Sequence, residues 1–212
     1  MTFSPKTIDQ WLSSYPQKWR RKIPDFDRIG RRIRNRNEPY ATLEEIKEIV
    51  DWKWRGAGSE FEEMNSSVQV QEITRKAFAK TSDENMVEEL SHMGQVRTPM
   101  ASAILRFVYP DKFGIVDRRN LYVLSHSSNE HGQPNALFET RAMKVCDQGE
   151  EIPASRYVSY LSIIRKIAQD YPSRTKQAER FSILEELRNE FRNRTVAEID
   201  MAIFSYSWQF FK

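Results

Sequence analysis

A chain of 212 residues, 39% apolar and 30% charged, falls in the ordinary globular range and can fill one good-sized core or two small lobes sharing a cleft. Its single cysteine, Cys146, excludes an intramolecular disulfide, a structural zinc and a four-cysteine iron–sulfur cluster. No apolar run approaches the roughly 18 residues of a membrane span, and "MTFSPKTIDQWLSSYPQKW" lacks the apolar stretch of a secretory signal, so the expectation is a cytoplasmic protein, nucleoid-associated if bacterial.

The net charge is only +3, but residues 1–40 form a basic helical segment, with nine Lys or Arg against two Asp between 17 and 36. Such a cluster attracts an anionic polymer, nucleic acid being the usual one, or it is simply a solvated face. Trp11, Tyr15 and Trp19 are interleaved with it at roughly helical spacing and suit packing of a helix onto a core better than stacking on bases.

Residues 41–55 read as an amphipathic helix with Leu43, Ile46, Ile49 and Val50 on one face, and Thr42 with Glu45 three residues later forms a capping-box start. Gly56 and Gly58 break it, as hinge or C-cap residues. Further helices are expected over 67–80 and 83–93, the latter capped by Ser82. Pro99 suits a first turn, Ala101, Ile104, Leu105 and Val108 make a buried face, and one more helix covers 116–124. Residues 125–136 are the clearest loop. Two strongly helical stretches follow within 137–212, and Tyr157, Tyr160, Tyr206, Trp208 and Phe210 are expected to pack the part that carries the N-terminal helices. No strand pair is patterned, so the fold class is all-α.

The two helices joined by "MGQVRTP" make a tight hairpin. Backbone N–H groups of Gln95, Val96 and Arg97 beside the N-terminus of the second helix form an anion site that accepts a phosphodiester without demanding a base sequence. A plain packing corner uses the same residues. Downstream, Asp117 ends an apolar run and is followed by Arg118 and Arg119. Read on its own, it is the N-cap of "RRNLYVL".

"LSHMGQVRTPMASAIL" resembles a degenerate helix–hairpin–helix motif, and "FGIVDRRNLYVL" resembles the segment after it in the HhH-GPD superfamily of DNA base-excision glycosylases. That family places its aspartate about sixteen residues beyond the alanine following the hairpin. Counting from Ala101, 117 − 101 = 16 reaches Asp117, preceded by Val116 as in the family. The match covers residues 86–124 and extends loosely to the helix at 41–55. It implies a two-lobed all-α fold with a cleft, the helix–hairpin–helix at about 85–108 within a helical core of residues 41–124, and the C-terminal helices packed against the N-terminal part.

The resemblance further implies a monomer that binds double-stranded DNA, flips a base and hydrolyses its N-glycosidic bond. Asp117 would be the catalytic carboxylate, stabilising positive charge on the sugar and orienting water. Gly94, Gln95, Val96, Arg97, Thr98, Arg118 and Arg119 would hold the DNA backbone, and Trp52, Lys53 and Trp54 would line the base pocket. Bifunctional members carry a lysine where this chain has Pro99, so the implied chemistry is monofunctional. The family's cysteine cluster is absent and no cofactor is implied beyond a monovalent cation at the hairpin in the DNA complex. Gln95 and Arg97 stand where glycines are usual.

His126 and His131 near Asn129 and Glu130 lack a third ligand, so no metal is expected; His92 stands apart, and Cys146 reads as a small buried residue. Two other classes fit the same features: a non-catalytic helix–hairpin–helix DNA-binding protein, and a helical protein–protein adaptor with an acidic partner.

Overall fold

The computed structural model describes residues 2–17, 23–127, 151–171, 173–174, 191–192 and 194–210. Among them are ten helices: α1 (Pro5–Ser13), α2 (Ile23–Arg34), α3 (Leu43–Lys53), α4 (Gly58–Met64), α5 (Ser67–Phe78), α6 (Asp83–Leu90), α7 (Thr98–Val108), α8 (Arg118–Ser125), α9 (Ala154–Asp170) and α10 (Val196–Phe210). One antiparallel pair, β1 (Ser173–Arg174) with β2 (Phe191–Arg192), is two residues long on each side, too short to leave a sequence pattern. The protein is all-α. None of the described helices is long and apolar enough to cross a membrane.

The centre is α7. Apart from Pro99 every one of its residues is buried, the signature of a helix surrounded on all sides. It meets α2, α3, α6 and α9. The crossing with α2 is close enough that a Cβ on Gly30 would stand 1.9 Å from the Phe107 carbonyl oxygen, so only glycine fits there. Phe26, Trp52 and Phe107 fill the junction of α2, α3 and α7 with centroids 4.5–5.5 Å apart, Trp52 edge to face on both phenylalanines and the two phenyl rings tilted on one another.

α3 begins at the predicted capping box, where Thr42 Oγ1 accepts from the Glu45 amide and Glu45 Oε2 from the Thr42 amide. It ends at Lys53, earlier than the pattern to 55 suggests, and Gly56 takes a φ of 88° in the break. The glycine-rich stretch then turns into the short α4, which the pattern did not mark.

Much of the basic N-terminal cluster serves the fold. Arg32 and Arg36 both bind Glu45, Arg34 donates to the Val108 carbonyl, and Arg28 pairs with Asp25. Trp19 and residues 18–22 lie outside the described residues. α1 docks on α10, where Trp11 meets Tyr206 edge to face at 4.6 Å. Tyr157 and Tyr160 depart from expectation: both are buried against the 113–116 segment, not against the N-terminal helices.

Candidate functional site

The segment from Gly114 to Val116, which delivers Asp117, is held from three sides. Ser102 Oγ on α7 accepts from the Val116 amide at 3.1 Å. Tyr157 donates to the Gly114 carbonyl at 2.9 Å, and the Tyr160 hydroxyl lies 3.2 Å from the Ile115 carbonyl. Asn120 reaches back from α8 to the same carbonyl at 3.1 Å. Asp117 then caps α8, its Oδ1 accepting from the Asn120 amide at 2.8 Å. Arg118, not Val116, is thus the first helical residue. Oδ2 takes no hydrogen bond from the described residues, so capping occupies one oxygen of two.

Asp117 opens into a cavity of about 580 Å³. Trp52, Lys53 and Trp54 enter from the end of α3; Arg97 and Pro99 from the hairpin; Arg118, Arg119 and Asn120 from α8. The remaining wall was not anticipated: Tyr15, Ile115, Glu151 and Ile152, with Asp200, Met201, Phe204 and Trp208 from α10. The Arg119 guanidinium lies over the Trp208 ring, 5.2 Å from its centroid, so Trp208 also serves this wall. Trp54 is 41% exposed at the rim, while Trp52 is partly buried against Phe26 and Phe107.

Asp200 is the principal residue that sequence reasoning missed. It is 4% exposed on α10 and accepts from the Tyr160 hydroxyl at 2.7 Å and from Asn120 Nδ2 at 2.8 Å. Burial pushes its carboxyl up to about 6, against the pull of the Tyr160 hydroxyl, the Ile115 amide and Arg106; Asp117 adds to the rise. Asn120 therefore ties both acids together, its amide on Asp117 and its side chain on Asp200, while its own Oδ1 is buried without a partner. The one signal available was an acid inside the apolar "AEIDMAIF".

Lys53 is half-buried on this wall. Desolvation lowers its ammonium below the usual lysine range, and the negative charges of Asp117 and Asp200 act in the opposite direction.

The hairpin between α6 and α7 differs in detail from the anion site read in the sequence. The Gly94 amide is spent on Asn65 Oδ1 at 2.8 Å and the Val96 amide on the Met93 carbonyl at 3.1 Å. Val96 and Thr98 are buried, so both serve packing. The amides of Gln95 and Arg97 donate to none of the described residues, and Gln95 adopts a φ of 64°, the left-handed conformation for which glycine is suited. Arg97 reaches Glu151 at 3.3 Å across the exposed rim.

His126 stacks on Tyr122 at 4.2 Å, and His131, Asn129, Glu130 and Cys146 lie outside the described residues. Among the described residues no group of three His, Cys, Asp or Glu could hold a metal ion. Comparison with family models, with curated proteins and with solved structures finds no match to this chain.

Proposed function

We propose that this protein is a DNA glycosylase with a divergent two-lobed HhH-GPD arrangement, hydrolysing the bond between a damaged or modified base and deoxyribose in duplex DNA. The observation that carries the reading is Asp117 opening into one cavity with Lys53, Trp52 and the hairpin residues Arg97 and Pro99. The free Oδ2 of Asp117 supports it, because a carboxylate oxygen not used by the cap is available to a sugar or a water.

As the glycosidic bond breaks, positive charge grows at C1′. Asp117 stabilises that charge and orients the attacking water. The tryptophans offer apolar faces for a base turned out of the stack. The Gln95 and Arg97 amides and the guanidinium groups of Arg97, Arg118 and Arg119 supply the donors for flanking phosphates. Base release is by water, since Pro99 removes the hairpin lysine. The chain acts as a cytoplasmic monomer and needs no cofactor other than a monovalent cation at the hairpin on DNA. Lesion repair and defence against modified foreign DNA both use this chemistry.

Duplexes carrying uracil, alkylated, oxidised or hypermodified bases test the reading through abasic sites revealed by alkali. Asp117→Asn should slow release by roughly 100- to 10,000-fold. If every duplex stays intact, or the variant matches wild type, the enzyme reading fails. The cap hydrogen bond of Asp117 favours a second reading, a non-catalytic DNA-binding protein. That protein would show salt-dependent binding that survives Asp117→Asn, with no base release.

A further inference from the structure

We propose that a second cavity, walled by α2, the end of α7 and the start of α10, binds a small molecule through a phosphate monoester group, with Arg106 as the buried anchor. The site lies apart from the Asp117 cavity and stands or falls independently of the glycosylase reading.

The second cavity measures about 520 Å³, a volume that small ligands fill. Met201 is the one residue, among those described, that lines both cavities. α7 borders the first at Pro99 and the second at Arg106 and Phe107; from 99 to 106 is seven residues, about 10 Å along the helix axis.

The Arg106 guanidinium is an unmet donor. The residue is 4% exposed, and among the described residues its side chain makes one hydrogen bond, to the Met201 sulfur at 3.4 Å, a weak acceptor. Nη1 is buried with no hydrogen-bond partner. Asp27 Oδ1 stands 3.6 Å away, close enough to offset charge and too far to accept a hydrogen bond. A buried cation whose donors go unanswered is costly, yet this one lines a cavity. An oxyanion seated there accepts from the guanidinium fork and answers the donors that the chain leaves open.

The other charges at the cavity select phosphate. Arg31 and Arg34 of α2 line it too. Arg31 is exposed, with its Nε 3.4 Å from the Asp27 carbonyl, and Arg34 donates to the Val108 carbonyl, so neither is neutralised by the bond it makes. Of the two acids present, Glu198 is spent on Thr195, accepting from its amide at 2.8 Å and its hydroxyl at 3.3 Å. Asp27 is 45% exposed, where water weakens its repulsion of an anion. Three guanidinium groups against two carboxylates leave the cavity positive. A phosphate monoester presents three terminal oxygens, one to each guanidinium, where a carboxylate presents two. A concavity between three helices suits a small molecule; a polymer backbone needs an extended groove.

Isothermal titration calorimetry on the full chain at constant ionic strength tests the site. The probes are inorganic phosphate and ribose 5-phosphate, with ribose and acetate as controls. The expected result is saturable one-site binding of both phosphates, with acetate weaker by roughly tenfold or more and ribose silent. Arg106→Met should weaken phosphate binding by roughly tenfold or more and still fold, because it removes a buried cation that lacks an acceptor. Arg31→Ala, a change at an exposed side chain, should weaken it by about threefold and leave the core untouched. Circular dichroism checks both variants, and if Arg106→Met fails to fold, Arg31→Ala decides. No heat from either phosphate, acetate binding as tightly as phosphate, or unchanged affinity in the folded variants overturns the proposal. A duplex without terminal phosphates supplies the other source of phosphate. If it displaces ribose 5-phosphate, the arginines serve a nucleic-acid backbone and the small-molecule site falls; if it does not, the assignment is upheld.

Discussion

The two ends of α3 carry buried or half-buried charges of opposite character. At the N-terminal end Glu45, 4% exposed, accepts from Arg32 Nε at 2.8 Å, from both Arg36 Nη atoms at 2.9 Å and from the Thr42 amide. Burial alone would raise its pKa, yet the Arg36 and Thr42 hydrogen bonds bring it below the ordinary glutamate value. At the C-terminal end, about two turns away, Lys53 has a cavity in front of it and no such partner among the described residues. A buried charge with every lone pair satisfied is scaffold. One left unsatisfied where a cavity opens is where chemistry is to be sought.

Mutation can break this contrast, and the largest effect should come from the satisfied end. Glu45→Ala strips two arginines and a cap of their acceptor, and should cost about 3 kcal/mol in urea unfolding; a loss below about 1 kcal/mol would mean that the clamp is idle. Asp200 tests the cavity side through pH. Its folded value, about 6, lies above the 3.8 of an accessible aspartate. The folded protein therefore holds a proton that the unfolded chain has released, and stability falls as pH rises through that window, by up to about 3 kcal/mol. Glu45, with its lowered pKa, contributes in the other sense, losing stability as pH falls. The difference between wild type and Asp200→Asn isolates Asp200: the variant should lack the decline between pH 3.8 and 6, and parallel curves would refute its burial as a titrating acid.

Lys53→Met should leave stability unchanged or raise it by about 1 kcal/mol, since an apolar side chain replaces a desolvated amine that makes no hydrogen bond among the described residues. A marked fall in melting temperature would make Lys53 structural after all. The smallest effect belongs to the hairpin. Gln95→Gly relieves a left-handed residue worth roughly 1 kcal/mol but loosens the unfolded chain, for a net gain of about 0.5 kcal/mol. A loss in thermal unfolding would show that the Gln95 side chain holds the turn.

The helices were legible because their signals are local. The Thr42–Glu45 box, Ser82 as a cap and the apolar run of α7 each act within a few residues, and the resulting elements start and stop within a turn of expectation. Asp117 was legible as the N-cap of α8 for the same reason, the acid and the Asn120 amide it binds lying three residues apart. Lys53 and Trp52 could be nominated as side chains at a helix end, but nothing local says which of them meets Asp117.

Asp200 and Tyr160 were illegible as a pair. They lie 40 residues apart, and Asn120 lies a further 40 from Tyr160. Each alone reads as an ordinary polar residue on a helix. The same applies to the basic N-terminal cluster, which reads as one surface until Arg32 and Arg36 are found on Glu45 and Arg34 on Val108.

What the amino-acid order determined by itself is therefore the set of helices, their caps and the position of one acid after a hairpin, since hydrogen bonding and side-chain periodicity act over a turn or two. Only the tertiary structure decided which charges would lose their water and which would find a partner. Desolvation depends on what the rest of the chain packs around a group, and no window of neighbouring residues contains that information.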